Sequence, residues 1–209
     1  MSAGTIYGVL LNDRSERKQL EPASHQDPYK APPQAPVVYM KPRLSASAGG
    51  QPVPLPEDEH ELMAAATLAL LFATDAAAVS PENAWDHVGA VSLALDISLP
   101  TESYYRPTIA QRCRDGFLPL GAAVAPVRPD EIVTLVDGQE VHRWSLSRLV
   151  RPIDRLIADL SAFMTLRAGD TLLVGLPGDA PRVRLGQAIR VEAEGLPPLR
   201  TTVAREALS

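Results

Sequence analysis

Prolines occur along the whole of this chain. Twenty of its 209 residues are proline, and thirteen more are glycine. Proline interrupts helices, and within sheets it is confined to edges and strand ends. We therefore expect many turns and ordered loops between short elements. Apolar residues make up 45% of the chain and charged residues 22%, which is typical of a globular protein and excludes collagen, a coiled coil or a wholly disordered chain.

Apolar and β-branched runs between the prolines predict strands. Ala64–Phe72 is open to two interpretations: its alanines favour a helix, but a short unbroken apolar run suits a strand buried on both faces. Asp137-Gly138, between two β-rich stretches, is typical of a tight hairpin turn. The other strands are expected at 5–11, 37–40, 88–98, 171–175, 187–194 and 199–204.

The sequence predicts fewer helices than strands. Apolar residues recur at helical spacing from Leu149 to Phe163 and predict one long amphipathic helix over 145–166, in which Pro152 marks either the first turn or a kink. A short helix is expected at 81–87, after a Ser-Pro start signal. Residues 12–36 carry five prolines and no apolar period, and they predict a long loop or lid. Another loop is expected at 45–56, which is rich in glycine, proline and serine.

No internal repeat or linker divides the sequence. We expect one β-rich α+β domain over residues 1–209, with few helices. The chain has 20 basic and 25 acidic residues and no basic block, so we expect no nucleic-acid partner. The apolar stretch 63–73 is too short to cross a membrane, and the first residues lack the pattern of a signal peptide. A single cysteine, Cys113, fits a reducing compartment, so a cytoplasmic location is expected.

Residues 101–121 hold three arginines, Arg106, Arg112 and Arg114, next to two tyrosines. Arginine binds carboxylates through two parallel hydrogen bonds, so the cluster suits a small di- or tricarboxylate ligand. The alternative is a surface loop whose arginines pair with nearby acids. Cys113 lies in the same segment, but no base is indicated beside it, and a packing role is expected.

Lys41 and Asp96 are two further candidates. Lys41 ends a predicted strand, where it could polarise a carbonyl or carboxylate, or simply be solvated. Asp96 interrupts an apolar run, and a buried acid must be paired or bind a cation. The residues alone leave both alternatives open.

Five segments together resemble the fumarylacetoacetate hydrolase family over nearly the whole chain. Within that family the resemblance is to the N-terminal half of the two-part enzymes of homoprotocatechuate (4-hydroxyphenylacetate) catabolism. It implies a mixed β-sandwich roll. It also implies decarboxylation of 5-oxopent-3-ene-1,2,5-tricarboxylate, isomerisation of 2-hydroxyhepta-2,4-diene-1,7-dioate, or both. The segments are DPYKAPPQAPVVYMKPR, ALDISLPTESYYRP, RCRDGFLPLG, LSAFMTLRAGD and VEAEGLPPL.

The resemblance also implies a Mg²⁺ or Mn²⁺ site, because active family members hold the metal with a Glu-x-Glu pair and a later aspartate. The aspartate matches Asp96, but Ala65 and Thr67 stand where the two glutamates belong, so metal binding by Asp96 should be weak. Glu59 and Glu61 form an acidic pair six residues too early. The candidate catalytic residues are Lys41, Asp96 and Arg112, and the candidate substrate-binding residues are Tyr105, Arg106 and Arg114.

Further departures from the family pattern weaken the expected catalytic site. Asp13 follows Asn12 where a tyrosine is usual, Glu16 takes the place of a lid histidine, and Leu176 replaces a threonine. Two functions of different class remain open: a subunit of the pathway enzyme, or a metal-deficient, non-catalytic partner of a paralogous catalytic chain. The oligomer is then a homodimer or a heterodimer. A third interpretation is a module that binds or senses small dicarboxylates.

Overall fold

Two curled β-sheets make up most of the computed structural model, which describes residues 4–100 and 108–206. Three α-helices lie between the strands: α1 (Arg14–Ser24), α2 (Ile109–Arg112) and α3 (Ile153–Ser161). Short 3₁₀ helices occur at Arg43–Ser45, Ala84–His87 and Leu146–Arg148. The strands are β1 (Ile6–Leu10), β2 (Val37–Lys41), β3 (Ala46–Ala48), β4 (Val53–Leu55), β5 (Glu61–Phe72), β6 (Val88–Ser98), β7 (Leu118–Leu120), β8 (Glu131–Val136), β9 (Gln139–Ser145), β10 (Thr171–Leu173), β11 (Arg182–Arg184), β12 (Ala188–Glu192) and β13 (Leu199–Arg205).

The larger sheet has the strand order β2-β1-β10-β5-β6-β7-β3, with β11 paired to β5. In a flat sheet with strands about 4.8 Å apart, β2 and β3 would lie about 29 Å from each other. They are consecutive in the chain and are joined by residues 42–45 alone, which span at most about 17 Å. The sheet therefore curls until its two ends approach each other, as expected for a sandwich roll.

The antiparallel pair β5–β6 forms the centre of this sheet. One face of the pair packs against the second sheet, which has the order β4-β13-β12-β8-β9, and contributes to the main core. The other face points into the curl, where Ala69 and Ala94 join a smaller apolar cluster. Burial on both faces explains why 64–72 is apolar without alternation, and it decides the open question there in favour of a strand.

Helix α1 shows that the prediction of a loop over the whole of 12–36 is wrong. The Asp13 side chain accepts a hydrogen bond from the Glu16 backbone N–H at 3.0 Å and caps the helix. The helix is charged and largely exposed, so it lacks an apolar period. The available signal was the acidic residue at the cap followed by glutamate three positions later.

Helix α3 is shorter than predicted. It begins after Pro152, which occupies the cap position, so Pro152 marks the start and not a kink. Phe163, which the apolar stripe included, lies beyond the helix and is 66% exposed.

Two other predictions also differ from the structure. Of the predicted helix at 81–87, only the 3₁₀ turn Ala84–His87 forms, and the predicted loop at 45–56 contains β3 and β4.

The remaining strand predictions are confirmed to within a few residues, including the hairpin turn at Asp137-Gly138 between β8 and β9. None of the helices in the described part of the chain is long and apolar enough to cross a membrane.

Candidate functional site

Three of the predicted site residues meet inside the curl of the larger sheet. Lys41 Nζ lies 3.1 Å from Asp96 Oδ1, and Arg112 Nη1 lies 2.8 Å from the same oxygen. Lys41 comes from the end of β2, Asp96 from β6 and Arg112 from α2. The side chains of Lys41 and Asp96 are fully buried, and that of Arg112 is 11% exposed. Asp96 is therefore a paired buried acid, which is one of the two outcomes expected for it.

A fourth member, Tyr39, was not anticipated. Its hydroxyl donates a hydrogen bond to Asp96 Oδ2, and the Arg112 guanidinium lies 5.2 Å from the centre of its ring. Tyr39 is directly opposite Gly8 on β1, and a Cβ at Gly8 would come within 2.5 Å of Cε1 of the tyrosine ring. Residue 8 must therefore be glycine to leave room for the Tyr39 ring. A lone glycine within a predicted strand is the sequence signal that could have indicated this close contact.

The Lys41 ammonium group uses all three of its hydrogens. Besides Asp96, it donates to the carbonyl oxygens of Ile97 at 3.2 Å and Phe117 at 2.7 Å. Burial lowers the pKa of Lys41, although the charge of Asp96 opposes this shift. Burial, and then the charge of Asp96, raise the pKa of Tyr39 well above its usual value, so the phenol is a proton donor here. Lys41 is held in a fixed position and is not solvated.

A cavity of about 160 Å³ lies beside this cluster, and Arg112 is the one cluster residue in its wall. Glu16, from the first turn of α1, also lines the cavity and is buried. It packs closely over Gly178, where a Cβ would be 2.6 Å from the Glu16 Cβ. The remaining lining residues are Met63, Ala65, Ser98, Pro100, Leu176, Pro177, Gly178, Ala180 and Arg182.

The resemblance assigns the two missing glutamates to Ala65 and Thr67, which both lie on β5. Ala65 is directly opposite Asp96 in the β5–β6 pair, and Thr67 is opposite Ala94 on the same face. Neither offers a carboxylate, and the Thr67 hydroxyl donates to the Gly175 carbonyl at 2.6 Å. The early acidic pair cannot substitute, because Glu61 precedes Ala65 by four residues, about 13 Å along a strand, and pairs with Arg182.

The residues around Asp96 do not fit a divalent cation. Such an ion prefers several hard oxygen ligands. Both Asp96 oxygens are already engaged, Oδ1 by the Lys41 and Arg112 cations and Oδ2 by the hydrogen bond from the Tyr39 hydroxyl. Within residues 4–100 and 108–206, no group of three His, Cys, Asp or Glu side chains could hold a metal ion.

Arg114, a further predicted residue, lies outside this cluster. Arg114 donates to the Ala110 carbonyl at 3.0 Å and lies 3.8 Å from Glu206. Tyr105 and Arg106 belong to the part of the chain outside the described residues. The Cys113 thiol contacts the Met40 carbonyl at 3.5 Å, and burial raises its pKa, which agrees with a packing role.

A separate ion network holds α1 in place. Asp13 is fully buried and accepts hydrogen bonds from the Trp144 indole at 2.8 Å and from Arg148 at 2.9 Å. Arg148 also pairs with Asp179 at 2.8 Å, and His142 lies 3.1 Å from the same carboxylate. Partial burial raises the pKa of Asp179, but the hydrogen bonds from Arg148 and His142 outweigh it and lower the pKa to about 2.

We expect Asp179 to contribute to stability at neutral pH and to lose that contribution in acid. Because its folded pKa lies below its ordinary value of 3.8, the contribution is complete above pH 3.8 and disappears as the pH falls towards 2. Urea unfolding of Asp179→Asn should give a loss of about 1 kcal/mol at pH 5, after discounting for solvent exposure, and almost none at pH 2. The exposed Asp58→Asn is the control, and a loss independent of pH would contradict the prediction.

The sequence comparisons agree with the geometry of the fold. Residues 5–204 match the family described as fumarylacetoacetate (FAA) hydrolase, C-terminal. The chain is 40% identical over 205 residues to the 4-hydroxyphenylacetate degradation bifunctional isomerase/decarboxylase of Escherichia coli, an alignment that covers 97% of this chain and 48% of that protein. It is 31% identical to a mitochondrial oxaloacetate tautomerase of Oryza sativa subsp. japonica, with 78% of each chain covered. The chain thus spans about half the length of the bifunctional relatives it matches.

Two solved structures illustrate the shared architecture. The 5-carboxymethyl-2-hydroxymuconate delta-isomerase of Mycobacterium smegmatis superposes with a TM-score of 0.82 at 25% identity, covering 98% of this chain and 78% of that one. Fumarylpyruvate hydrolase of Pseudomonas aeruginosa, solved with Mn²⁺ and pyruvate, has a TM-score of 0.81 at 20% identity, covering 97% and 90%. By sequence match and by its two curled sheets, the chain belongs to the fumarylacetoacetate hydrolase family.

Proposed function

We propose that this chain is a subunit of the enzyme that acts on the tricarboxylate and dioate intermediates of 4-hydroxyphenylacetate degradation. Its reaction would be decarboxylation of 5-oxopent-3-ene-1,2,5-tricarboxylate, isomerisation of 2-hydroxyhepta-2,4-diene-1,7-dioate, or both. The bifunctional relatives, 38–41% identical over 97% of the chain, support the pathway. The observation that carries the proposal is the position of Arg112, which reaches from the buried carboxylate of Asp96 to the cavity wall.

Arg112 is suited to bind one carboxylate of such a substrate. Its guanidinium is fixed on one side by Asp96 and by the ring of Tyr39, so little freedom is lost on binding. Lys41 and Asp96 are fully buried, and we assign them the role of positioning residues that act through Arg112. With two cations against one carboxylate, the cluster keeps an excess positive charge beside the cavity.

Both reactions develop negative charge on an oxygen. In the decarboxylation, CO₂ leaves and its electron pair moves through the conjugated double bond to the 5-oxo oxygen, which then gains a proton. In the isomerisation, the enol oxygen loses a proton and C5 gains one. Arg112 would stabilise the charged oxygen or hold the neighbouring carboxylate, and Glu16, the carboxyl group in the cavity wall, would exchange the proton. No step is assigned to a metal ion, because the residues around Asp96 do not fit one.

A second candidate function is that of a metal-deficient, non-catalytic partner of a paralogous catalytic subunit. The names of the relatives give it no support. The specific observation in its favour is the pairing of Asp96 with Lys41 and Arg112, with Ala65 and Thr67 in place of carboxylates. A homodimer, a heterodimer with such a paralogue, and a cytoplasmic location stay predictions.

The deciding experiment is an assay of both reactions with the purified chain, first alone and then mixed with a family member that keeps the Glu-x-Glu pair. We expect turnover by the chain alone. Arg112→Lys should then lower kcat/KM by roughly tenfold or more, because a lost charge-assisted hydrogen bond costs about 1.5–3 kcal/mol. Arg155→Lys, on the exposed side of α3, is the matched control and should leave kcat/KM unchanged.

Turnover that appears only on mixing would reject catalysis by this chain and support the partner function. In that case the Arg112 variant should be tested in the mixture, where an unchanged rate would also remove Arg112 from the substrate site. Absence of both reactions in both assays would reject the proposed pathway role.

A further inference from the structure

The surroundings of Asp96 resemble a metal site in which the ion has been replaced by protein atoms. Three donors approach the carboxylate: Lys41 and Arg112 at Oδ1, and Tyr39 at Oδ2. Two of the three are cations. Together they supply the positive charge and the coordination that a buried carboxylate needs in order to stay ionised.

Lys41 cannot give way easily to an incoming ion. Its ammonium group has three hydrogens and three oxygen partners: Asp96 Oδ1 at 3.1 Å, the Ile97 carbonyl at 3.2 Å and the Phe117 carbonyl at 2.7 Å. A divalent cation at Asp96 would lie within a few ångströms of this ammonium group, where like charges repel strongly in a buried site. To move away, Lys41 would have to leave two backbone carbonyls without their donor.

Tyr39 closes the other side of the carboxylate, and Gly8 makes this possible. The tyrosine ring occupies the space that a Cβ on residue 8 would take. Gly8 has no left-handed backbone angle, so space rather than conformation explains the glycine.

We infer that this chain has exchanged the divalent cation for its own side chains: the Lys41 ammonium and the Arg112 guanidinium neutralise Asp96, and the chain binds neither Mg²⁺ nor Mn²⁺ there. The folded state is complete without metal. This inference concerns binding and stability, and it stands or falls independently of the catalytic role proposed above.

The first test is a titration of the chelator-treated chain with Mn²⁺, followed by electron paramagnetic resonance of the free ion. We expect no stoichiometric binding at micromolar concentrations, and the same trace for wild type and Asp96→Asn. We also expect thermal unfolding midpoints that agree to within about 1 °C in EDTA, Mg²⁺ and Mn²⁺, because a ligand that binds only the folded state raises the midpoint. One Mn²⁺ bound per chain and lost in Asp96→Asn, or a midpoint lowered by EDTA, would overturn the inference.

The second test asks whether Lys41 acts as the counter-ion. Lys41→Met and Asp96→Leu each leave a buried charge without its partner, whereas the double variant removes both charges. We expect the double variant to have a higher unfolding midpoint than either single variant, or to fold where a single variant does not. Losses that simply add would overturn the counter-ion role, and the Mn²⁺ titration on the wild-type chain remains decisive if no variant folds.

Discussion

Asp96→Ala is expected to lower the free energy of unfolding by about 3–5 kcal/mol, the cost of removing one partner from a buried ion pair. The fully buried ammonium of Lys41 loses the carboxylate that it pairs with, and the Tyr39 hydroxyl loses its acceptor. The loss is measured by urea unfolding at pH 7, with ligand-free protein. Asp154→Ala is the matched control, because its pairing with Arg128 is partly exposed and should be worth less than about 1 kcal/mol.

Equal losses in the two variants would mean that the Asp96 cluster is not an internal counter-ion system. Because Arg112 is partly exposed, Asp96→Ala in an Arg112→Met background should cost almost as much as in wild type, whereas in a Lys41→Met background it should cost much less. This difference identifies which cation depends on the carboxylate.

Gly8→Ala is expected to cost about 2–3 kcal/mol, at the upper end of the range for overpacking of a buried site. The added methyl group would overlap the ring of Tyr39 on the neighbouring strand, and that ring is held at its far end by Asp96. Chemical denaturation measures the loss. Gly49→Ala is the milder comparison, since its Cβ would meet the flexible end of Leu199 at 3.1 Å and the Leu120 carbonyl oxygen at 3.3 Å, with no atom closer than 3.0 Å.

The same substitution in a Tyr39→Ala background isolates the cause. With the ring removed, Gly8→Ala should leave the free energy of unfolding unchanged or raise it slightly, because alanine restricts the unfolded chain more than glycine does. An undiminished loss in that background would show that Gly8 serves some purpose other than space for Tyr39.

The sequence predicted most strands because their burial leaves a direct trace in the pattern. The runs 64–72 and 88–98 are largely buried on both faces, since one face packs on the main core and the other points into the curl. Helix α1 left no such trace. The helix buries few residues, and the five prolines that follow its capping Asp13 within 12–36 favour a loop. Pro152 was recognised as a possible helix start, but only the structure decides between a start and a kink.

The sequence identified individual residues of the candidate site, but it did not predict the ion pairs and hydrogen bonds that join them. Lys41, Asp96 and Arg112 were each identified, with pairing and metal binding left open for Asp96. Whether Asp96 pairs with a cationic side chain depends on the curl of the larger sheet, which brings β2 close to β6 across three intervening strands. Tyr39 was missed because an aromatic residue in a strand ordinarily belongs to the core, and its hydroxyl contact with Asp96 spans 57 positions of sequence.

The connection of residues 42–45 that closes the roll also affects how the protein folds. Lys41 donates to carbonyl groups 56 and 76 positions further along the chain. These contacts raise the contact order, and they can form only after a large loop has closed at a cost in chain entropy. Until the roll has closed, burial of either the Lys41 ammonium or the Asp96 carboxylate would leave a charge out of water without its partner. We expect the cluster to assemble in the last stage of folding, so that weakening it accelerates unfolding and leaves the folding rate nearly unchanged.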